Sequence, residues 1–251
     1  MLRSVTAGSI LLLSALGGCT TPGLYATLPQ SKLTELRKVV VISVLGDKIG
    51  YHRQGLISGD RAETNIAAWG LDEAVVDQSS RAIANALGVQ VVAQAKGTES
   101  FFLLYNGRAA PGNSGLEFER VKPELRRIIA SSGADTAVLI FKGIQGLPGG
   151  HRYWVQGSSV SRMHGYCALF PVIMIGILDL QTMEPVAANY LAPAGPKNQI
   201  QLPAPAPLPE ELCERQLQNL SAPQNALLKA AFLSFFSNGN VHASIKRLIA
   251  P

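Results

Sequence analysis

The sequence predicts an α+β fold of mixed α/β layers: a central mixed sheet with packed helices, antiparallel strands in the second half, and a helical C-terminal tail. Three observations carry this. Residues 38–45, KVVVISVL, are a nearly continuous run of β-branched and aliphatic side chains, as expected of a strand apolar on both faces. Residues 71–87 set Val75, Val76, Ser79, Ile83, Ala86 and Leu87 along one helical stripe, and Gly88 follows as a stop. Beyond residue 134, strand-like runs succeed one another with no helical stripe between them, until a helical pattern returns near the C-terminus.

The elements follow in order. Residues 20–35 contain Pro22, Gly23 and Pro29 and little apolar rhythm, which suits a short tether, with order beginning near Arg37. After the strand at 38–45, Gly50, Gly55 and Gly59 break residues 48–69 into an extended excursion or an irregular hairpin. The helix at 71–87 leads to a strand at 89–95, a short strand candidate at 101–105, and a Gly- and Pro-containing loop at 106–115. A second helix at 119–132 aligns Val121, Leu125, Ile128 and Ile129, tolerates Pro123 in its first turn, and ends at Gly133. A strand at 134–142 and a loop at 143–150 come next. Alternation over 152–162 suggests an exposed antiparallel strand, and residues 170–180 a buried one. A turn at 179–186 then leads into a strand ending at Tyr190. Residues 193–209 hold six of the 15 prolines, a composition that favours extended polyproline geometry over a sheet interior. Ser221 with Gln224 three residues later reads as a capping box for a helix through Phe236, stopped by Asn238-Gly239, with a last short helix at 241–249. The expected organisation is 1–18 signal peptide, 19–36 tether, 37–192 α/β domain, 193–210 Pro-rich connection, and 211–251 helical segment packing on the domain.

The N-terminus reads as an address. Met1-Leu2-Arg3 precedes an apolar run of about a dozen residues, too short for the roughly 20 a spanning helix needs. It ends Leu16-Gly17-Gly18-Cys19, which resembles the bacterial lipobox. That resemblance implies removal of residues 1–18, lipid attachment at Cys19 and a membrane anchor. A simple signal peptide with an incidental cysteine is the alternative. Because Thr20 stands where aspartate marks inner-membrane retention, the resemblance further implies the outer membrane, with the body in the periplasm. The formal charge is +5, and loss of Arg3 leaves 21 basic against 17 acidic residues. No stripe of Lys and Arg interleaves with aromatics, so nucleic acid is not an expected partner. Cys167 and Cys213 are either a disulfide, which an oxidising compartment permits, or two buried thiols.

The segments ALGVQVV (86–92), SSGADTAVLIFKG (131–143) and ILDLQTMEPVAANY (177–190) together resemble the small α/β domain of curli-secretion and TolB-type envelope lipoproteins. The chain departs from that pattern at Met183, where the turn normally has glycine.

Chemistry is sparse. Pro111-Gly112-Asn113-Ser114-Gly115-Leu116 resembles the nucleophile loop of chymotrypsin-like proteases, but where two glycines and a proline follow the serine there, Gly115 is followed here by Leu116, and the segment reads as a polar loop. Histidines 52, 151, 164 and 242 show no metal-ligand spacing, and no glycine-rich phosphate loop follows a strand, so neither a metal nor another cofactor is expected. Gly149-Gly150-His151 reads as a turn. Trp69, Tyr153 and Trp154 read as half-buried caps on the core or part of a binding patch. No catalytic residue is assigned. The one candidate ligand site is Asp47, Tyr51, His52 and Asp60, because Asp47 lies just past the carboxyl end of the best strand. The expected function is a non-enzymatic envelope lipoprotein, membrane-bound through lipid, that binds or assembles with a protein or envelope polymer. The alternative is a periplasmic hydrolase or metal-dependent enzyme using the Asp47-His52-Asp60 region.

Overall fold

In this computed structural model, the described residues are 27–54, 59–96, 114–146, 154–156, 158–163, 166–180, 183, 185–191 and 204–249. The signal peptide, Cys19, the strand candidate at 101–105, Asn113, Gly149, Gly150, His151, Tyr153 and His164 lie outside them.

The fold is α+β and contains two five-stranded mixed sheets. The first has the order β11-β10-β5-β1-β4, with β1 Lys38–Val44, β4 Gln90–Lys96, β5 Thr136–Lys142, β10 Ile173–Leu178 and β11 Pro185–Tyr190. β4 and β5 flank β1 in parallel, whereas β10 and β11 extend the sheet antiparallel. Every residue of 39–44 is buried, because β1 sits inside the sheet with helices on both sides. The second sheet has the order β12-β9-β8-β2-β3. It comprises the hairpin β2 Lys48–Gln54 and β3 Gly59–Asn65, then β8 Ser159–Met163, β9 Tyr166–Phe170 and β12 Ala206–Leu208. β6 Ile144–Gly146 and β7 Trp154–Gln156 form a separate pair.

Two helices cover opposite faces of the first sheet. α2, Leu71–Leu87, packs Val75, Val76 and Ile83 into the cluster that holds Val39 and Val41. α3, Ser114–Ser132, packs Leu125, Ile128 and Ile129 against Val40, Ile42 and Val44. The chain therefore runs from β1 over one face to β4, then over the other face to β5. The C-terminal segment completes the α2 face: α4 Glu210–Glu214, α5 Ala222–Leu233 and α6 Asn238–Arg247 follow one another, and α6 packs on α2, β10 and β11. Phe232, Phe236, Val241 and Ile245 are core residues there, and the Phe232 and Phe236 rings stack at 5.8 Å.

Several expectations are corrected. Residues 27–36 are not tether: Leu28 donates its N–H to the Leu248 carbonyl at 2.6 Å, and a four-residue α1, Gln30–Leu33, follows. α3 begins at Ser114 and not near residue 119, since periodicity marks only the turns that bury a face. The run at 152–162 is two strands, and β8 is interior, parallel to β2, with Ser159 and Ser161 buried. Serines at alternate positions read as solvent-facing only while a second sheet is not in view. The run at 170–180 is divided by Pro171, which has no N–H for a ladder, so Phe170 closes β9 and Ile173 opens β10. Part of the Pro-rich connection forms β12, an edge strand, where Pro207 is tolerated. Asn238 starts α6 instead of terminating α5, with Ser237 extended ahead of it.

Candidate functional site

The connection pattern points to one edge. Where successive crossovers leave for opposite faces of an open sheet, a crevice opens outside the carboxyl ends of the strands, and ligands of doubly wound folds bind there. In this chain that place lies at the ends of the neighbouring strands β1 and β5. Ser43, Leu45 and Gly46 arrive from β1, Lys142 closes β5, and Asp72 sits in the first turn of α2.

Ser43 is the polar exception in an apolar strand. It shares the sheet face of Val39 and Val41, the side α2 covers, and its Oγ donates a short hydrogen bond to Asp72 Oδ1. The Leu45 N–H donates to the same oxygen at 2.8 Å, and the Gly46 N–H donates to Oδ2 at 3.1 Å. Gly46 has φ 77°, in the left-handed region, which suits glycine and turns its N–H inward beside that of Leu45. Two such adjacent N–H groups form an anion-binding nest, and here the anion is the chain's own carboxylate. Asp72 is buried, and burial raises its pKa above the ordinary carboxylate value, opposed by the bonds from Ser43, Leu45 and Gly46 and reinforced by neighbouring Glu73. Two positions along the neighbouring strand from Ile140, the register partner of Ser43, comes Lys142, on the same face. Burial lowers its pKa, against the pull of the Glu63, Asp72 and Asp47 carboxylates.

The residues expected to form a ligand site are dispersed. Asp47 is exposed at the β1–β2 turn, where its carbonyl accepts the Ile66 N–H at 2.6 Å. Tyr51 is fully buried, and its hydroxyl donates to the Cys213 carbonyl at 2.8 Å. His52, next along β2, faces the other side of the sheet, and its Nε2 would stand 3.4 Å from a Cβ at Gly50. Asp60 lies on β3 as the register partner of Arg53, not of His52. Trp69 is buried. Cys167 and Cys213 are brought together, with Sγ atoms 2.07 Å apart, joining β9 to α4. Among the described residues, no group of three or more His, Cys, Asp and Glu side chains could hold a metal ion. No described helix is long and apolar enough to cross a membrane.

Sequence reasoning missed the Ser43–Asp72 contact. Its signals were one serine inside VVVISVL and an acid opening the α2 stripe, and neither names the other as partner. No family model matches this chain, and no curated protein or solved structure matches it.

Proposed function

We propose that the protein is a non-enzymatic cell-envelope lipoprotein, anchored through lipid on Cys19 in the outer membrane and facing the periplasm, whose α/β body binds or assembles with another envelope component. The observation that carries the non-enzymatic part is the saturation of the crevice. The Ser43 hydroxyl and the Leu45 and Gly46 N–H groups, which a catalytic site would turn toward substrate, all point at Asp72. A buried carboxylate engaged with a hydroxyl and two backbone donors works as a latch between β1 and α2. The anchoring part rests on Leu16-Gly17-Gly18-Cys19, and a disulfide between Cys167 and Cys213 suits an oxidising compartment.

The test is an intact-mass measurement on protein recovered from bacterial membranes, followed by crosslinking and affinity capture in the native envelope. The expected mass lacks residues 1–18 and includes acyl chains on Cys19, with the protein in the outer-membrane fraction and a reproducible crosslinked partner. An unmodified Cys19 would sink the reading.

A further inference from the structure

We propose that the face of the second sheet around Ser159 and Ser161 is a binding site for a small amphipathic carboxylate, a carboxylate head on a short aliphatic tail. This goes beyond the reading of the chain as an envelope lipoprotein, and it needs neither the lipid nor the envelope partner.

Strand register places the site. Gly50 and His52 of β2 pair with Ser159 and Ser161 of β8, which pair in turn with Phe170 and Ala168 of β9. Register partners share a face, so these six positions form two adjacent rows on one side of the sheet. Tyr51, Val160 and Leu169, between them in sequence, point the other way, into the cluster that α2 helps to build. Glycine, two serines and an alanine put at most one heavy atom beyond Cβ at Gly50, Ser159, Ser161 and Ala168, so the side-chain layer is shallowest there.

The hydroxyls give an independent observation. Ser159 is 1% exposed and Ser161 0%, and among the described residues neither Oγ has a hydrogen-bond partner. A buried hydroxyl left unpaired costs stability, and alanine at either position would not carry that cost. Two such hydroxyls at alternate positions of one interior strand therefore point to a polar ligand.

The surroundings give its chemistry. His52 reaches over Gly50, so that its Nε2 and the Ser159 Cβ each lie 3.4 Å from where a Gly50 Cβ would be. Arg61 pairs with His52 across the hairpin and stands at the end of the Ser161 row, whereas Glu63, at the end of the other row, is matched by Lys48 at 3.4 Å. Two hydroxyls and an imidazole on a row with a formal positive charge suit a carboxylate. Water alone fits less well, because a buried water takes about two to four polar partners. The β9 side of the floor offers only Ala168 and Phe170, both in the apolar cluster that continues to α3. An aliphatic tail suits that side.

The experiment compares the full natural chain with the double variant Ser159→Ala, Ser161→Ala. Each is melted by calorimetry alone and with butanoate, formate or 1-butanol at equal concentration, after equilibration long enough for a closed site to fill. Without additive, the double variant is expected to melt higher than the natural chain, because two unpaired hydroxyls are gone. Butanoate is expected to raise the Tm of the natural chain by about 3 °C or more and to leave that of the double variant within about 1 °C. Formate carries the head alone and 1-butanol the tail alone, so each should give less than about half the butanoate shift. No shift with butanoate, the result if the hydroxyls hold only water, overturns the site. An equal shift in both proteins overturns it as well, since butanoate would then bind elsewhere. An equal shift with formate or with 1-butanol removes the tail or the head from the ligand and overturns its class. A double variant that melts lower without additive shows hydroxyls already partnered, and the proposal falls.

Discussion

Asp72 gives up water on folding, and what it receives is specific: one hydroxyl and two backbone N–H groups from the end of β1. Burial outweighs these donors, so its proton is held more tightly in the folded protein than in the unfolded chain. The sign for stability follows. As pH rises from the unfolded value near 3.8 through the raised folded value, the unfolded chain releases its proton first, and Asp72's contribution to stability falls. Asp72→Ala, which strands three donors, is expected to lower unfolding free energy by about 2–4 kcal/mol. Asp72→Asn keeps an acceptor for Ser43 and Leu45 but turns an amide NH₂ toward the Gly46 N–H, so it should cost less. In urea melts between pH 4 and 8, the advantage of the natural chain over Asp72→Asn should shrink as pH rises. An advantage that grew with pH would refute the assignment. At this scale the sequence was least legible. Tyr51 and His52 are adjacent in the chain and invite a joint role, but strand alternation separates them, and Tyr51 is claimed by a carbonyl 162 residues away.

Elements were more legible, because periodicity and caps are local. The stripe at 71–87 is the observed helix, and Gly88 ends it with φ 70° and its N–H on the Ala84 carbonyl at 2.9 Å. Ser221 and Gln224 form the capping box the spacing announced. Met183 shows the limit of such rules. It takes φ 58°, in the left-handed region usually left to glycine, and sends its N–H to the Asp179 carbonyl at 2.7 Å, with its side chain buried. Burial of that side chain offsets the backbone strain, an exchange that no local pattern displays. The divided strands at 154–163 and 166–178 were misjudged for a related reason: their partners lie far away in sequence. Two substitutions test the caps. Gly88→Ala meets nothing within 4 Å, so its cost should be backbone strain alone, about 1 kcal/mol. Ser221→Ala should cost about 1 kcal/mol by removing the acceptor for the Gln224 N–H. Calorimetric unfolding checks both, and values near zero would mean that the helix ends fray in solution.

Across the whole molecule, the second sheet and the C-terminal helices are joined where cooperativity would otherwise be weakest. β12 lies at a sheet edge with three paired residues, and it pairs with β9 alone among the described strands. The Cys167–Cys213 bond spans a sequence separation of 46 and ties β9 to α4 just beyond that strand. The Tyr51 hydroxyl then fixes the Cys213 carbonyl to β2, so three elements meet at one covalent point. Closing a loop of this length removes unfolded-state entropy equivalent to about 4 kcal/mol at most. Replacing both cysteines by alanine is therefore expected to lower unfolding free energy by about 2–4 kcal/mol. A reductant should shift the natural chain toward the double variant and leave the double variant itself unmoved. Because the latch between β1 and α2 lies in the other sheet, Asp72→Ala should add to the loss of the disulfide within about 0.5 kcal/mol. A natural chain indifferent to reductant in denaturant would show that the thiols are not joined. Coupling well beyond additivity would show that the two sheets unfold through a shared contact that neither latch supplies.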